Sequence, residues 1–299
     1  MAHLTTRVVA VVGPTATGKS DLAVEIALAL GGEAVNADSM QLYEGMDIGT
    51  AKPSPAERRG VPHHLLDVWP VTHPATAVEY QALCRRVLDD LLGRGVTPVL
   101  VGGSGLYLRA ALDDLRFPGS DPELRARLEA ELEREGPYAL HARLAVLDPA
   151  AATRMEPSNG RRVVRALEVV ELTGAMPGEL TSYRAVYDVV QIGLDSPDLP
   201  DRIARRVDVM WDRGLLDEVA GLAERGLREG VTARRALGYA QALAQLDGEL
   251  TGQQAREATV VATRRFARRQ RAWFRRDPRV HWLRRDGAER DQALALVRS

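Results

Sequence analysis

An α/β fold with a parallel sheet and an inserted helical segment is what the sequence predicts, on three observations. Apolar, β-branched runs at 8–12, 98–101 and 189–194 are continuous rather than alternating, the pattern of strands buried on both faces. Stretches of helical periodicity separate them, at 21–30 and 76–94 among others. Between 117 and 187 the character changes, because charged helical stretches at 121–135, 138–146 and 161–173 follow one another with no strand between them. The core is therefore assigned to 1–116 and 188–299, and the helical insertion to 117–187.

The first strand, Val8-Val9-Ala10-Val11-Val12, runs directly into GPTATGKS, which satisfies G-x-x-x-x-G-K-[S/T] at every defining position. Gly13, Pro14, Thr15, Ala16, Thr17, Gly18, Lys19 and Ser20 are thus a candidate phosphate loop. Its glycines let successive N–H groups point at one oxyanion, and the helix that follows adds its positive end. Lys19 supplies a point charge and Ser20 a hydroxyl for Mg²⁺. A second strand, 33–37, ends at Asp38-Ser39-Met40-Gln41, on the edge where open α/β sheets bind ligands. Asp38 can there hold Mg²⁺ or act as a general base; a plain turn aspartate is the bland alternative.

A third strand is expected at Leu65-Leu66-Asp67-Val68, and His63 and His64 before it lack metal-ligand spacing. On the helix over 76–94, Val78, Leu83, Val87, Leu88 and Leu91 form the expected buried face. The strand at 98–101 ends in Gly102-Gly103-Ser104-Gly105, a second backbone-rich loop on the ligand edge, where Ser104 can reach substrate. In the insertion, Arg161, Arg162 and Arg165 cluster, with Arg161 and Arg165 on one face: a phosphate grip or a solvated basic surface. Pro200 opens a helix on which Arg202 and Arg206 lie one turn apart and can reach one pyrophosphate; Asp201, Asp208 and Asp212 are their alternative partners. Finally, residues 259–276 hold seven arginines and no acid, interleaved with Phe266, Trp273 and Phe274. That pattern suits a nucleic-acid backbone surface with stacking platforms.

Composition narrows the classes. The 299 residues are 45% hydrophobic and 27% charged with net charge −1, so a polyanionic partner must be met by local segregation of charge. Cys84 is the single cysteine, which excludes an internal disulfide, and its helical context favours a buried thiol. With no apolar run near 18 residues and no signal-peptide pattern, a soluble, cytoplasmic protein without membrane contact is expected. Of the 40 basic residues only Lys19 and Lys52 are lysines, which marks Lys52 as a candidate second phosphate or backbone contact.

The ordered segments GPTATGKS, NADSMQLYEGMDIGTAKP, PHHLLDV, VGGSGLYLRA, NGRRVVRALEV, DRIARRVDVM, ALGYAQAL and TRRFARRQRAWFRR make the chain resemble the bacterial tRNA dimethylallyltransferase family over nearly its whole length. The resemblance implies a P-loop NTPase-like core carrying a helical insertion. It implies transfer of the dimethylallyl group of dimethylallyl diphosphate to N6 of the adenosine 3′-adjacent to the anticodon. Carried over, it makes residues 13–20 the diphosphate site, Asp38 the general base candidate, and Arg206 the arginine that steadies the diphosphate, with Mg²⁺ as cofactor. It turns Asp38, Ser39, Met40, Gln41, Ser104, Arg125, Arg161, Arg162, Arg165, Arg235, Gly238 and Tyr239 toward tRNA, to which the basic helix adds Arg264 and Arg268. Arg235 and Ala240 depart from the family pattern, which commonly has glutamine and a basic residue there. The implied partners are the tRNA anticodon stem-loop and the prenyl donor, with the chain a monomer. Two rivals are a small-molecule kinase and a nucleotide-gated RNA-binding module. The kinase lacks an acid at the end of the 98–101 strand, and the module leaves Asp38 unexplained.

Overall fold

Hydrophobic runs buried on both faces require helices on both sides of a sheet, and that is the arrangement of the first unit. The computed structural model describes residues 6–177, 182–284 and 286–299. They form two units, one of the described residues up to Asp114 and from Ala185 onward, the other Leu115–Arg184. The sequence placed these edges at 117 and 187. Asp113 bridges Ala185 and Val186 N donates to Leu112 O at 2.8 Å, so the two connecting strands stay with the first unit. Residues 178–181 of the expected insertion lie outside the described residues.

In the first unit β1 (Val8–Val12) leads to α1 (Lys19–Leu30), β2 (Glu33–Asn36), α2 (Pro55–Arg58), β3 (His63–His64), α3 (Ala77–Gly93), β4 (Pro98–Gly102) and α4 (Gly105–Leu112). The second unit holds α5 (Pro122–Leu147), α6 (Pro149–Thr153) and α7 (Gly160–Thr173). The chain then returns as β5 (Val189–Gly193), α8 (Leu199–Asp212), α9 (Leu215–Glu224), a 3₁₀ turn (Ala233–Arg235), α10 (Tyr239–Leu246), α11 (Gly252–Arg275), β6 (Val280–Trp282) and α12 (Glu289–Arg298). The six strands pair in parallel in the order β3-β2-β4-β1-β5-β6, with Val9 opposite Val99 on one side and Val190 on the other. All five residues of β1 are buried. Val8, Ala10 and Val12 pack with Leu88 and Leu91 of α3 and Phe274 of α11, while Val9 and Val11 pack with Ile26 of α1 and Val297 of α12. Because every strand runs the same way, the loops after β1, β2, β4 and β5 share one edge.

Two local expectations are corrected. The third strand is His63–His64 rather than 65–68, because Leu65 (φ 60°) and Asp67 (φ 53°) adopt left-handed backbone that interrupts pairing. Helix α3 buries Tyr80, Cys84, Leu88 and Leu91, whereas Val78 is about half exposed. The period of 3.6 carries Val78 off that stripe. Burial pushes the Cys84 thiol up to about 12, so it is an inert core thiol.

In the second unit Leu124, Leu128, Leu140, Leu144, Val163 and Leu167 form a separate core. The two helices expected at 121–135 and 138–146 are both present within α5, separated at Gly136 (φ 79°, ψ 168°), whose backbone is not helical and which Pro137 follows. Within that core Glu168 is fully buried and accepts from Asp121 N (3.0 Å), Arg125 (2.5 Å) and Arg165 (2.7 Å). Burial opposes its ionisation, but the two guanidiniums and the amide outweigh that and hold its carboxyl below the usual range.

Candidate active site

The phosphate loop bends sharply, with Ala16 in left-handed backbone (φ 62°) and Gly13 at a position that only glycine can fill. Gly13 has φ 136°, and a Cβ there would fall 2.1 Å from Leu194 O; Gly18 has φ 88°. The helix α1 begins at Lys19, so its unpaired N-terminal amides adjoin the loop. Inside the loop Pro14 O accepts from Thr17 Oγ1 (2.9 Å) and Lys19 Nζ (2.5 Å). From outside, Arg202 Nε donates to Ala16 O at 2.7 Å, and Thr15 N donates to Gln270 Oε1 at 2.9 Å.

Lys19, Ser20, Asp38, Gln41, Thr50 and Arg206 line one pocket, with Thr15 and Gly103 beside them. Asp38 is held as a turn aspartate and lines the pocket. Its Oδ1 accepts Met40 N (2.9 Å), and its own N–H donates to Asn36 Oδ1 (2.8 Å). Asn36 Nδ2 donates to Asp38 O and Leu65 O, locking that strand end. Arg206 donates to Thr50 O at 3.3 Å. Burial, and then the nearby Arg206 charge, push the Lys19 ammonium down to about 7, with Asp38 opposing. Burial also lowers Arg206, again with Asp38 opposing. Two half-buried cations facing one carboxylate leave the pocket short of negative charge, which an anionic ligand supplies.

Ser20 and Asp38 offer a hydroxyl and a carboxylate oxygen on the same pocket, the hard donor set that suits Mg²⁺. Among the described residues no cluster of three or more His, Cys, Asp or Glu forms a metal cage. Ser104, at the start of α4, links the two strand-end loops: its Oγ accepts Ser39 N (3.1 Å) and donates to Ser39 Oγ (3.2 Å). Gln41 Nε2 donates to Thr50 O and Ala51 O. Asp38, Ser39, Gln41 and Ser104 are thus brought together, with Met40 adjoining them in the chain.

Other expected positions fall elsewhere. Lys52 does not reach the pocket as a phosphate contact; its buried ammonium bonds Tyr43 O (2.9 Å), Asp47 Oδ1 (2.6 Å) and Asp67 Oδ1 (2.5 Å). A buried ammonium needs opposite charge, and two carboxylates from the flanking loops provide it. Gly238 and Tyr239 are buried rather than turned to RNA, and Tyr239 OH donates to Glu218 Oε1 at 2.6 Å; Arg235 is exposed. Glu218 also accepts from Ile48 N at 2.8 Å, which ties the wall of the pocket to α9. Arg202 braces the phosphate loop instead of joining Arg206 in the pocket. Asp208 and Asp212 pair with Arg256, not with those arginines.

In the second unit Arg125 and Arg165 are committed to Glu168, while Arg161 and Arg162 are exposed. On α11, Arg271 makes a two-point bond to Asp195 (2.8 and 2.7 Å), Arg264 donates to Pro200 O, and Arg275 sits 4.2 Å over the Trp282 ring. Phe274 is core. Arg265, Arg268 and Arg269 are exposed, as are Arg275 and Arg276, and Arg269 lies 5.8 Å over the Phe266 ring. Among the described residues Arg265 and Arg268 have no acidic partner. Sequence reasoning missed Asn36, Asp195 and Gln270; only Gln270 carried a signal, as the one amide in the arginine run.

A family model described as IPP transferase matches residues 41–277. The chain is 67% identical over 291 residues to a tRNA dimethylallyltransferase of Frankia casuarinae, covering 97% of this chain and 99% of the relative. It is 63% identical over 298 residues to a tRNA dimethylallyltransferase of Streptomyces coelicolor, covering 97% and 96%. Among solved structures, the full-length tRNA isopentenylpyrophosphate transferase of Bacillus halodurans superposes with a TM-score of 0.71 at 38% identity, covering 98% of this chain and 97% of that one. A eukaryotic dimethylallyltransferase acting on tRNA superposes with a TM-score of 0.76 at 30% identity, covering 89% and 69%.

Proposed function

This chain belongs to the IPP transferase family, and from that membership we infer that it transfers the dimethylallyl group of dimethylallyl diphosphate to N6 of the adenosine 3′-adjacent to the anticodon in tRNA. The observation that carries the site assignment is the pairing of Lys19 and Arg206 with Asp38 in one pocket at the strand-end edge.

The reaction asks for these groups. The adenine N6 attacks the allylic carbon, a C–N bond forms, and the C–O bond to diphosphate breaks with its electron pair leaving on oxygen. Lys19 and Arg206 neutralise the departing diphosphate, and the loop amides and α1 N-terminus orient it. An exocyclic amine is a weak nucleophile, so Asp38 accepts the N6 proton. Ser20 and Asp38 would hold Mg²⁺, which supplies further neutralisation of phosphate charge. The target base must leave its stack to enter the pocket. Ser39, Gln41 and Ser104 border its path, and Arg161, Arg162, Arg265, Arg268 and Arg269 are the exposed cations offered to the tRNA backbone. No helix of the described residues is long and apolar enough to cross a membrane. Action as a monomer in the cytoplasm, where tRNA is met, completes the proposal.

Incubation of the protein with unmodified tRNA and labelled dimethylallyl diphosphate, beside labelled ATP as parallel donor, tests the reading. Prenyl label in RNA with no phosphoryl transfer from ATP is expected. Phosphoryl transfer without prenylation would establish the kinase.

A further inference from the structure

Gln270 lies inside the arginine run of α11, yet only 5% of it is exposed. Both ends of its amide are used: Oε1 accepts Thr15 N–H at 2.9 Å, and Nε2 donates to Gly103 O at 2.9 Å. Thr15 and Gly103 belong to different loops, after β1 and after β4, and both line the pocket. The helix is pressed onto the second loop to a degree only glycine admits. A Cβ on Gly103 would fall 2.2 Å from Gln270 Nε2, and one on Gly105 would fall 2.2 Å from Trp273 Nε1. A neutral amide meets both needs at once, since Thr15 N–H requires an acceptor and Gly103 O a donor. A carboxylate provides the first alone, and an aliphatic side chain neither.

We propose that Gln270 is a positioning residue for the transfer reaction. It clamps the phosphate loop to the β4–α4 turn, so that Lys19 and the loop amides on one side and Ser104 with its Ser39 partner on the other keep one geometry around the donor. Gln270 acts through Thr15 and Gly103 and touches no reacting atom. Because α11 also bears the exposed Arg265, Arg268 and Arg269, the clamp makes the donor site depend on where the RNA-facing helix sits. The inference rests on the donor-pocket reading above.

Steady-state kinetics of tRNA prenylation, with donor and tRNA varied separately, and urea unfolding midpoints test it on the full chain. Wild-type transfer is measured first, and its absence overturns the proposed function and this inference with it. With wild type active, Gln270→Leu is expected to raise the donor KM about tenfold with the tRNA KM little changed, as the loss of the buried clamp bonds predicts. Gln270→Glu is expected to raise it further, since its charge adjoins the diphosphate. Gly103→Ala attacks the same clamp with Gln270 intact, so the test survives a Gln270→Leu that does not fold. The Gly103→Ala/Gln270→Leu double variant is expected to be no worse than the poorer single one. A donor KM within about twofold of wild type in Gln270→Glu and Gly103→Ala, losses that add in the double variant, or a lowered unfolding midpoint with unchanged kinetics each overturn the proposal.

Discussion

On the donor-pocket reading proposed above, the half-buried Lys19 makes donor binding a proton-linked event. In the free pocket burial and Arg206 hold its ammonium at about 7, well below its ordinary 10.5. A bound diphosphate brings negative charge to that ammonium and returns its pKa toward the ordinary value. At pH 8 about a tenth of free-site Lys19 is protonated, so binding takes up about 0.9 proton; at pH 6 it takes up about 0.1. Donor affinity accordingly falls toward about tenfold per pH unit above 7, or about 1.4 kcal/mol per unit. Stability of the ligand-free protein runs the other way. Its folded pKa is the lower one, so between 7 and 10.5 the unfolded chain binds more protons, and stability rises with pH across that window; below 7 the cost of charging the buried amine is fully present. Calorimetry of diphosphate binding at pH 6 and pH 8, each in two buffers of different ionisation enthalpy, counts the protons. The same titrations of Lys19→Met subtract the ligand's own titration. Equal proton uptake in wild type and Lys19→Met at pH 8 would refute the reasoning.

Three further outcomes are expected. Asp38→Ala should lower turnover about 10²- to 10⁴-fold while diphosphate still binds, since a lost proton acceptor acts in the transition state; unchanged turnover at saturating substrates removes Asp38 as base. Arg206→Ala should raise the donor KM more than it weakens tRNA binding, and the reverse pattern in filter-binding and kinetic assays would move Arg206 to the RNA face. Replacing Arg265, Arg268 and Arg269 with glutamine should flatten the log–log dependence of tRNA affinity on salt by about 0.7 to 0.9 for each phosphate no longer neutralised, with donor binding spared. Parallel slopes would leave RNA binding to the second unit.

The parallel core was legible because its determinants are local. Five consecutive apolar residues, a glycine-rich turn and an apolar helix describe β1, the phosphate loop and α1 within one short stretch, and Asp38 follows from its place at a strand end. What stayed hidden was set by partners distant in sequence. The scarcity of lysine correctly marked Lys52 as a position where a compact ammonium matters, but its partners Asp47 and Asp67 become visible only once two loops meet. Composition showed seven arginines on α11 without saying that Arg271 is spent on Asp195, 76 residues away. Tyr239 was turned toward tRNA by the family resemblance alone, whereas Glu218 and the α9 core enclose it, a contact between residues 21 apart that no local pattern announces. The third strand failed because two residues with left-handed backbone carry no glycine to announce them.

The order of strands in the sheet also sets a timetable for synthesis. From residues 8–102 a nascent chain can pair β2, β4 and β1, but the other edge of β1 waits for β5, which is 181 residues downstream in register at Val9 and Val190. Meanwhile the intervening helices can bury their own core as they leave the ribosome. Until β5 arrives, β1 presents an open apolar edge of the kind that recruits other strands, and long-range pairings of this sort close slowly. The Gln270 contacts to Thr15 and Gly103 come later still. A chain cut short before α11 therefore possesses every residue of the phosphate loop, and Arg202 against it, without the Gln270 amide that joins the loop to the β4–α4 turn, so an incomplete translation product carries the signature of the site but not its assembled form.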